Sequence, residues 1–194
     1  MLQANRVREA AARSPQLTLI TSQAELNQLL ARRARGEALV GALLGTEGSH
    51  ALDGQLDNID QLYDAGFRMM GLQHFFDNRL GGSLHGESQA GLTPFGEQAV
   101  RNMHKKGIMI DVAHSSEATV RDTLLVTEGD ALIVSHTGFD GHCPSPRNIS
   151  DETMALITEA GGLIGVGFWA DVTCGEGIEA IASAIQYGVE RFGV

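Results

Sequence analysis

Apolar runs of strand length alternate along this chain with stretches in which apolar residues recur at helical spacing. Strands are expected over Leu17 to Thr21, Ala38 to Leu44, Phe67 to Leu72, Ile108 to Val112, Ala131 to Val134 and Leu163 to Phe168. Helices are expected over Gln23 to Arg35, Leu56 to Ala65, Pro94 to Lys105, Ser116 to Val126, Asp151 to Glu159 and Gly177 to Phe192. The segments ALVGALLG, GIMIDVA, ALIVS and GLIGVGFW are apolar almost without interruption, as parallel strands covered on both faces are. Strand and helix in repetition predict an α/β fold with a parallel sheet.

Local signals mark the helix ends. Ser22, Thr93 before Pro94, Ser115 before Ser116, and Ser150 before Asp151 each offer a hydroxyl to the free N–H groups of a first helical turn. Gly107 and Gly161 stand where two helices stop. From Asp77 to Leu92 the segment NRLGGSLHGESQAG has no periodicity and reads as a long functional loop or a mobile flap. TGFDGHCPSPRN is a second irregular stretch. Alternating βα units suit a doubly wound open sheet or a closed barrel. The glycine-rich first turn of a dinucleotide fold is absent, and polar groups gather beyond the carboxyl ends of several strands, where barrel enzymes keep their chemistry.

The length of 194 residues suits one domain over the whole chain. A net charge of -10 leaves no basic face for nucleic acid. With 24 glycines and 5% aromatics, short βα connections fit better than an all-β sandwich. No apolar run reaches the roughly 18–20 residues of a membrane span, and MLQANRVREAAARSPQ has no apolar signal core, so a soluble, by default cytoplasmic, protein is expected. Cys143 and Cys174 form no C-x-x-C pair, so neither a disulfide-stapled scaffold nor a cysteine zinc site is expected, and a reducing compartment is the default.

Four polar residues each follow an apolar run: Glu47 after ALVGALLGT, His74 after FRMMGLQ, His114 after GIMIDVA and His136 after ALIVS. In a parallel fold those ends share one mouth, and a carboxylate with imidazoles is a suitable zinc donor set. Taken alone, a strand-end histidine is more often a hydrogen-bonded structural residue, and Glu47 fits a loop acid or helix cap equally well. Recurrence at four strand ends is what favours a site. His50, His85, His104 and His142 lack this placement; His104 suits a helix C-terminus, and His85 and His142 lie in loops, where they could touch substrate but fit solvated positions better. Arg147 in PSPRN fits a bidentate grip on a substrate carboxylate or a surface salt bridge.

From Ala38 onward, through GTEGSHAL, LQH with its DN loop, GLTPFGEQAV, GIMIDVAHSS and above all IVSHTGFDGHCPSPRNISDE, the chain resembles the renal or membrane dipeptidase family, peptidase M19. The resemblance implies an incomplete TIM-type (β/α) barrel of the metal-dependent hydrolase class. It further implies zinc-dependent hydrolysis of dipeptides by hydroxide shared between two cations. By position, Glu47 resembles the carboxylate that bridges two zinc ions, and His114 and His136 resemble the imidazoles on the second. His74 matches a histidine that stabilises the tetrahedral intermediate, Arg147 the arginine that takes the dipeptide carboxylate, and Asn148 with the Asp77–Asn78 loop the walls of the same cleft.

The chain departs from that pattern in two places. It contains no His-x-Asp pair, which in the family ends the first strand and completes the first zinc site, and no Gly-Ser-Asp motif, whose aspartate handles the proton. At most one well-ligated metal site is therefore expected, on Glu47, His114 and His136. A barrel without its first and last strands has an open seam, so a further chain segment or a second copy is expected to cover it. Alternatives to a dipeptidase are a non-catalytic assembly module and a hydrolase of another small amide, β-lactam or lactone.

Overall fold

Alternating strands and helices of the computed structural model, which describes residues 2–130 and 132–193, build two parallel sheets. The smaller pairs β1 (Leu17–Leu19) with β2 (Val40–Ala42) around α2 (Gln23–Ala34), over a local core of Ile20, Leu29 and Leu39. The larger holds β3 (Leu44–Thr46), β4 (Phe67–Gly71), β5 (Met109–Asp111), β6 (Ile133–Thr137) and β7 (Leu163–Val166), side by side in that order. All its pairings are parallel. Spatial order that follows chain order decides between the two architectures: a doubly wound sheet reverses its order at a switch point, whereas a barrel steps round in one direction. The sheet is an arc of a barrel, with β3 and β7 as its outermost strands.

Between the strands lie α3 (Asn58–Asp64), α4 (Pro94–Lys105), α5 (Glu117–Val126) and α6 (Asp151–Glu159). Met70, Ile110 and Val134 from the sheet and Val100, Met103, Val120, Met154 and Ile157 from the helices form one core and are almost wholly buried. Ser22, Thr93 and Ser150 cap their helices as expected, each accepting from a backbone N–H in the first turn. The α5 cap is Ser116, one residue beyond the expected Ser115, whose hydroxyl instead donates to the buried Gln73. Gly107 and Gly161 end α4 and α6 with φ of 69° and 75°, left-handed values that other residues adopt only under strain.

Several expected boundaries move. The single run Ala38 to Leu44 divides between β2 and β3, which belong to different sheets. The strand expected over Ala131 to Val134 is β6, displaced toward the carboxyl end; Ala131 lies outside the described residues. Helix α1 (Leu2–Arg13) was not expected from its polar sequence, and packing explains it: Ala4 is fully buried, Val7 rests on the core, and Arg8 donates to the Ala65 carbonyl. A short α7 (Ala170–Thr173) precedes α8 (Gly177–Phe192).

Cys143 and Cys174 form a disulfide with Cα atoms 5.4 Å apart, contrary to the expectation from their spacing. The residues are 31 positions apart in sequence, and only the folding of α7 back over the loop after β6 brings them together. Asn148 reinforces the same contact by donating to the carbonyls of Cys143 and Val172. Beyond β7, the exposed Leu163, Ile185 and Val189 border an apolar cleft of about 560 Å³. No helix among the described residues is long and apolar enough to cross a membrane.

Candidate metal centre and substrate cleft

Successive strand ends deliver the candidate ligands to one point. Glu47 follows β3 directly, His114 follows β5 by three residues, and His136 lies inside β6 rather than beyond it. The β6–β7 register is irregular between Val134 and Thr137, a bulge that spans Ser135 and His136 and sets the direction of both side chains. Nε2 of His114 stands 3.2 Å from Glu47 Oε1 and 3.0 Å from His136 Nε2, and His136 Nε2 is 3.2 Å from Glu47 Oε1. Three donors at the usual zinc distances of about 2.0–2.1 Å would be separated by about 3.3 Å in a tetrahedron, so this triangle fits such an ion.

The electrostatics keep these groups in their ligating forms. Burial, with help from Arg147, His136 and His74, lowers the His114 pKa to about 4 against the opposing effect of its hydrogen bond to Glu47. Burial and Arg147 lower that of His136 as well, against the pull of Glu47 and Asp111. At Glu47 burial acts upward, but the three facing histidines His74, His114 and His136 hold the carboxyl below its usual range. Two neutral imidazoles and one carboxylate at neutral pH need no deprotonation before they bind a cation.

His74 stands beside this triangle, its Nε2 3.5 Å from Glu47 Oε1 and its ring 4.6 Å from that of His114. Arg147 is buried and reaches the same cleft of about 450 Å³, which His74, Phe75, His85, Trp169 and Asp171 also line. Its guanidinium is no surface salt bridge: it donates to the carbonyls of Ala113 and His136 at 2.8 and 2.6 Å. Asn148 is buried behind the cleft among backbone carbonyls. Asp77 and Asn78 serve the loop itself: Asp77 accepts from the backbone of Ser83 and Ser88, and Asn78 bridges Leu72 and Leu80.

That loop is therefore fastened rather than a free flap. The Ser83 hydroxyl lies against the carbonyls of His74 and His114, and Gln89 donates to those of Leu84 and Gly86. The consequence is that His85, read from sequence as solvated, enters the cleft wall with its ring 5.8 Å from that of His114. Phe75 and Trp169 were also missed. Their placement follows from loop geometry that has no periodic signal, although two adjacent aromatics after a strand-end histidine were visible in His74-Phe75-Phe76.

An arc of parallel strands wound in one direction, with its polar groups at the carboxyl ends, is the architecture of part of a (β/α) barrel. The sequence profile of the membrane dipeptidases, peptidase family M19, matches residues 1–194, and the chain belongs to that family. It is 29% identical to Dipeptidase 3 of Mus musculus over 174 residues, covering 81% of this chain and 31% of the mouse protein. An amidohydrolase from Pseudomonas aeruginosa superposes with a TM-score of 0.85 at 24% identity, over 99% of this chain and 59% of that one. The probable dipeptidase PvdM from the same organism gives 0.86 at 19% identity, over 99% and 64%. A metallopeptidase from Rhodobacter sphaeroides, solved with a phosphinate mimic of the dipeptide L-Ala-D-Ala, gives 0.79 at 23% identity, over 99% and 56%. The chain thus spans less than a third of the mouse relative and about three fifths of these structures.

Proposed function

We propose that this chain carries the ligand-bearing arc of a zinc-dependent dipeptidase, with Glu47, His114 and His136 holding one metal ion. The observation that carries this reading is the convergence of their three donor atoms to within 3.2 Å of one another in a member of a dipeptidase family. When bound there, zinc supplies Lewis acidity toward an amide carbonyl and toward water. Arg147 receives the free carboxylate of the substrate, since its guanidinium is fixed by two carbonyls and keeps further N–H groups for an anion. His74, beside Glu47, donates to the oxygen that gains charge as the carbonyl carbon becomes tetrahedral. Phe75 and Trp169 line the cleft and offer apolar contact to the substrate beside the triangle.

Metal analysis of the purified chain, with hydrolysis of a simple dipeptide, tests the reading. One equivalent of zinc and turnover that Glu47→Gln abolishes are expected; a chain that takes up no zinc and cleaves no dipeptide refutes it. Loss of selectivity for free carboxylates in Arg147→Ala separates a dipeptidase from a hydrolase of other small amides or lactones.

A second reading, a non-catalytic assembly module, rests on the exposed apolar residues beside β7. Cover for that seam by another segment or a second copy is part of both readings. Light scattering on a zinc-loaded, inactive chain that self-associates would favour the module.

A further inference from the structure

Behind His136 lies a hydrogen-bond chain whose direction can be worked out atom by atom. Asp111, at the end of β5, is 5% exposed. Its Oδ1 accepts the backbone N–H groups of Ala113 and Ser135 at 3.1 and 2.9 Å, and its Oδ2 lies 2.5 Å from the Ser135 hydroxyl. A carboxylate has no hydrogen to give, so Ser135 donates to it. That uses the only hydrogen on Ser135 Oγ. The same oxygen stands 2.8 Å from Nδ1 of His136 and can only accept there, which puts the imidazole hydrogen on Nδ1. Nε2 is left with its lone pair directed at Glu47 and His114.

We propose that Asp111 and Ser135 are positioning residues that lock His136 in its Nδ1–H tautomer and so keep Nε2 available to a divalent cation. The lock acts on one imidazole alone, because Nδ1 of His114 is buried with no hydrogen-bond partner among the described residues. The bulge in β6 makes this possible: it turns Ser135 toward Asp111 while His136 faces the cleft. The proposal rests on the metal reading for its purpose, and on hydrogen-bond direction alone for its mechanism.

The decisive variant is Asp111→Asn, which keeps the shape of the side chain. With Oδ1 still receiving two N–H groups, the new amide nitrogen occupies the Oδ2 position and donates to Ser135. The serine hydrogen is then free to point at His136 Nδ1, and the imidazole hydrogen moves to Nε2, in the ligand position. Long-range nitrogen–proton NMR of the metal-free chain reads this directly: His136 should be the Nδ1–H form in the parent and the Nε2–H form in Asp111→Asn. Ser135→Ala should release the lock to a mixture, and Ser135→Thr, which keeps the hydroxyl, should restore the parent pattern. Zinc affinity should fall about 10–100-fold in Asp111→Asn and Ser135→Ala, the usual effect of losing an outer hydrogen bond to a ligand, and recover in Ser135→Thr. An unchanged His136 tautomer in Asp111→Asn overturns the proposal. A parent chain that takes up no zinc overturns the metal reading instead, and the tautomer measurement still decides the lock.

Discussion

Nη2 of Arg147 donates to the main-chain carbonyl of His136 at 2.6 Å, tying the residue read as the substrate anchor to the strand that carries a candidate ligand. Nη1 makes the matching bond to Ala113, the residue before His114. One guanidinium thus spans the ends of β5 and β6. Arg147→Lys should lose one of the two bonds and Arg147→Ala both, each leaving a buried carbonyl unpaired. The expected loss of stability is about 1–3 kcal/mol per bond, read by urea denaturation, and a variant as stable as the parent would show that the carbonyls find other partners.

His114 makes stability depend on pH in the metal-free chain. Its pKa falls from about 6.5 unfolded to about 4 folded, so between those values the unfolded state binds the additional proton. Stability should therefore be full above about pH 6.5 and should decline as pH falls toward 4, where both states are protonated and the loss levels off. Denaturation midpoints measured at several pH values check this, and His114→Gln should flatten that part of the curve.

The Cys143–Cys174 bond closes a loop over 31 positions. On chain-entropy grounds it contributes about 3–4 kcal/mol, which Cys143→Ser or reduction should remove. Because Asn148 donates to both joined segments, the loop around Arg147 should keep its fold in the reduced protein, with unchanged amide chemical shifts at Thr137 and Ala113.

Gly86 sits against Asp77 so closely that a Cβ there would overlap the carboxylate. Gly86→Ala should break the bonds from Ser83 and Ser88 to Asp77, cost about 1–3 kcal/mol, and withdraw His85 from the cleft. Thermal melts and a loss of ring-current shift on His85 would register it.

Helices α4 and α6 were legible to the residue because each has a local cap, Thr93 with Pro94 and Ser150 with Asp151, and an apolar face. The meeting of Glu47, His114 and His136 at one point was foreshadowed by recurrence, since polar residues followed several apolar runs and parallel strands bring such ends to one mouth. Helix α1 depends on Ala4 and Val7 meeting a core made elsewhere, and the disulfide on a return of the chain that spacing does not encode. His85 depends on a loop fastened by Asp77, Ser83 and Gln89. Asp111 left a signal that went unread, since a carboxylate inside the otherwise apolar GIMIDVA needs buried partners of its own.

The one-directional strand order has a kinetic meaning. Each strand from β4 onward docks beside the strand made just before it, so the cluster of Glu47, His114 and His136 requires only pairings between strands consecutive in the chain. Each pairing still has to close the long crossover that parallel strands require, which makes it slower to form than a hairpin. During synthesis the triangle of Glu47, His114 and His136 can form once β6 emerges, before β7 has docked beside it.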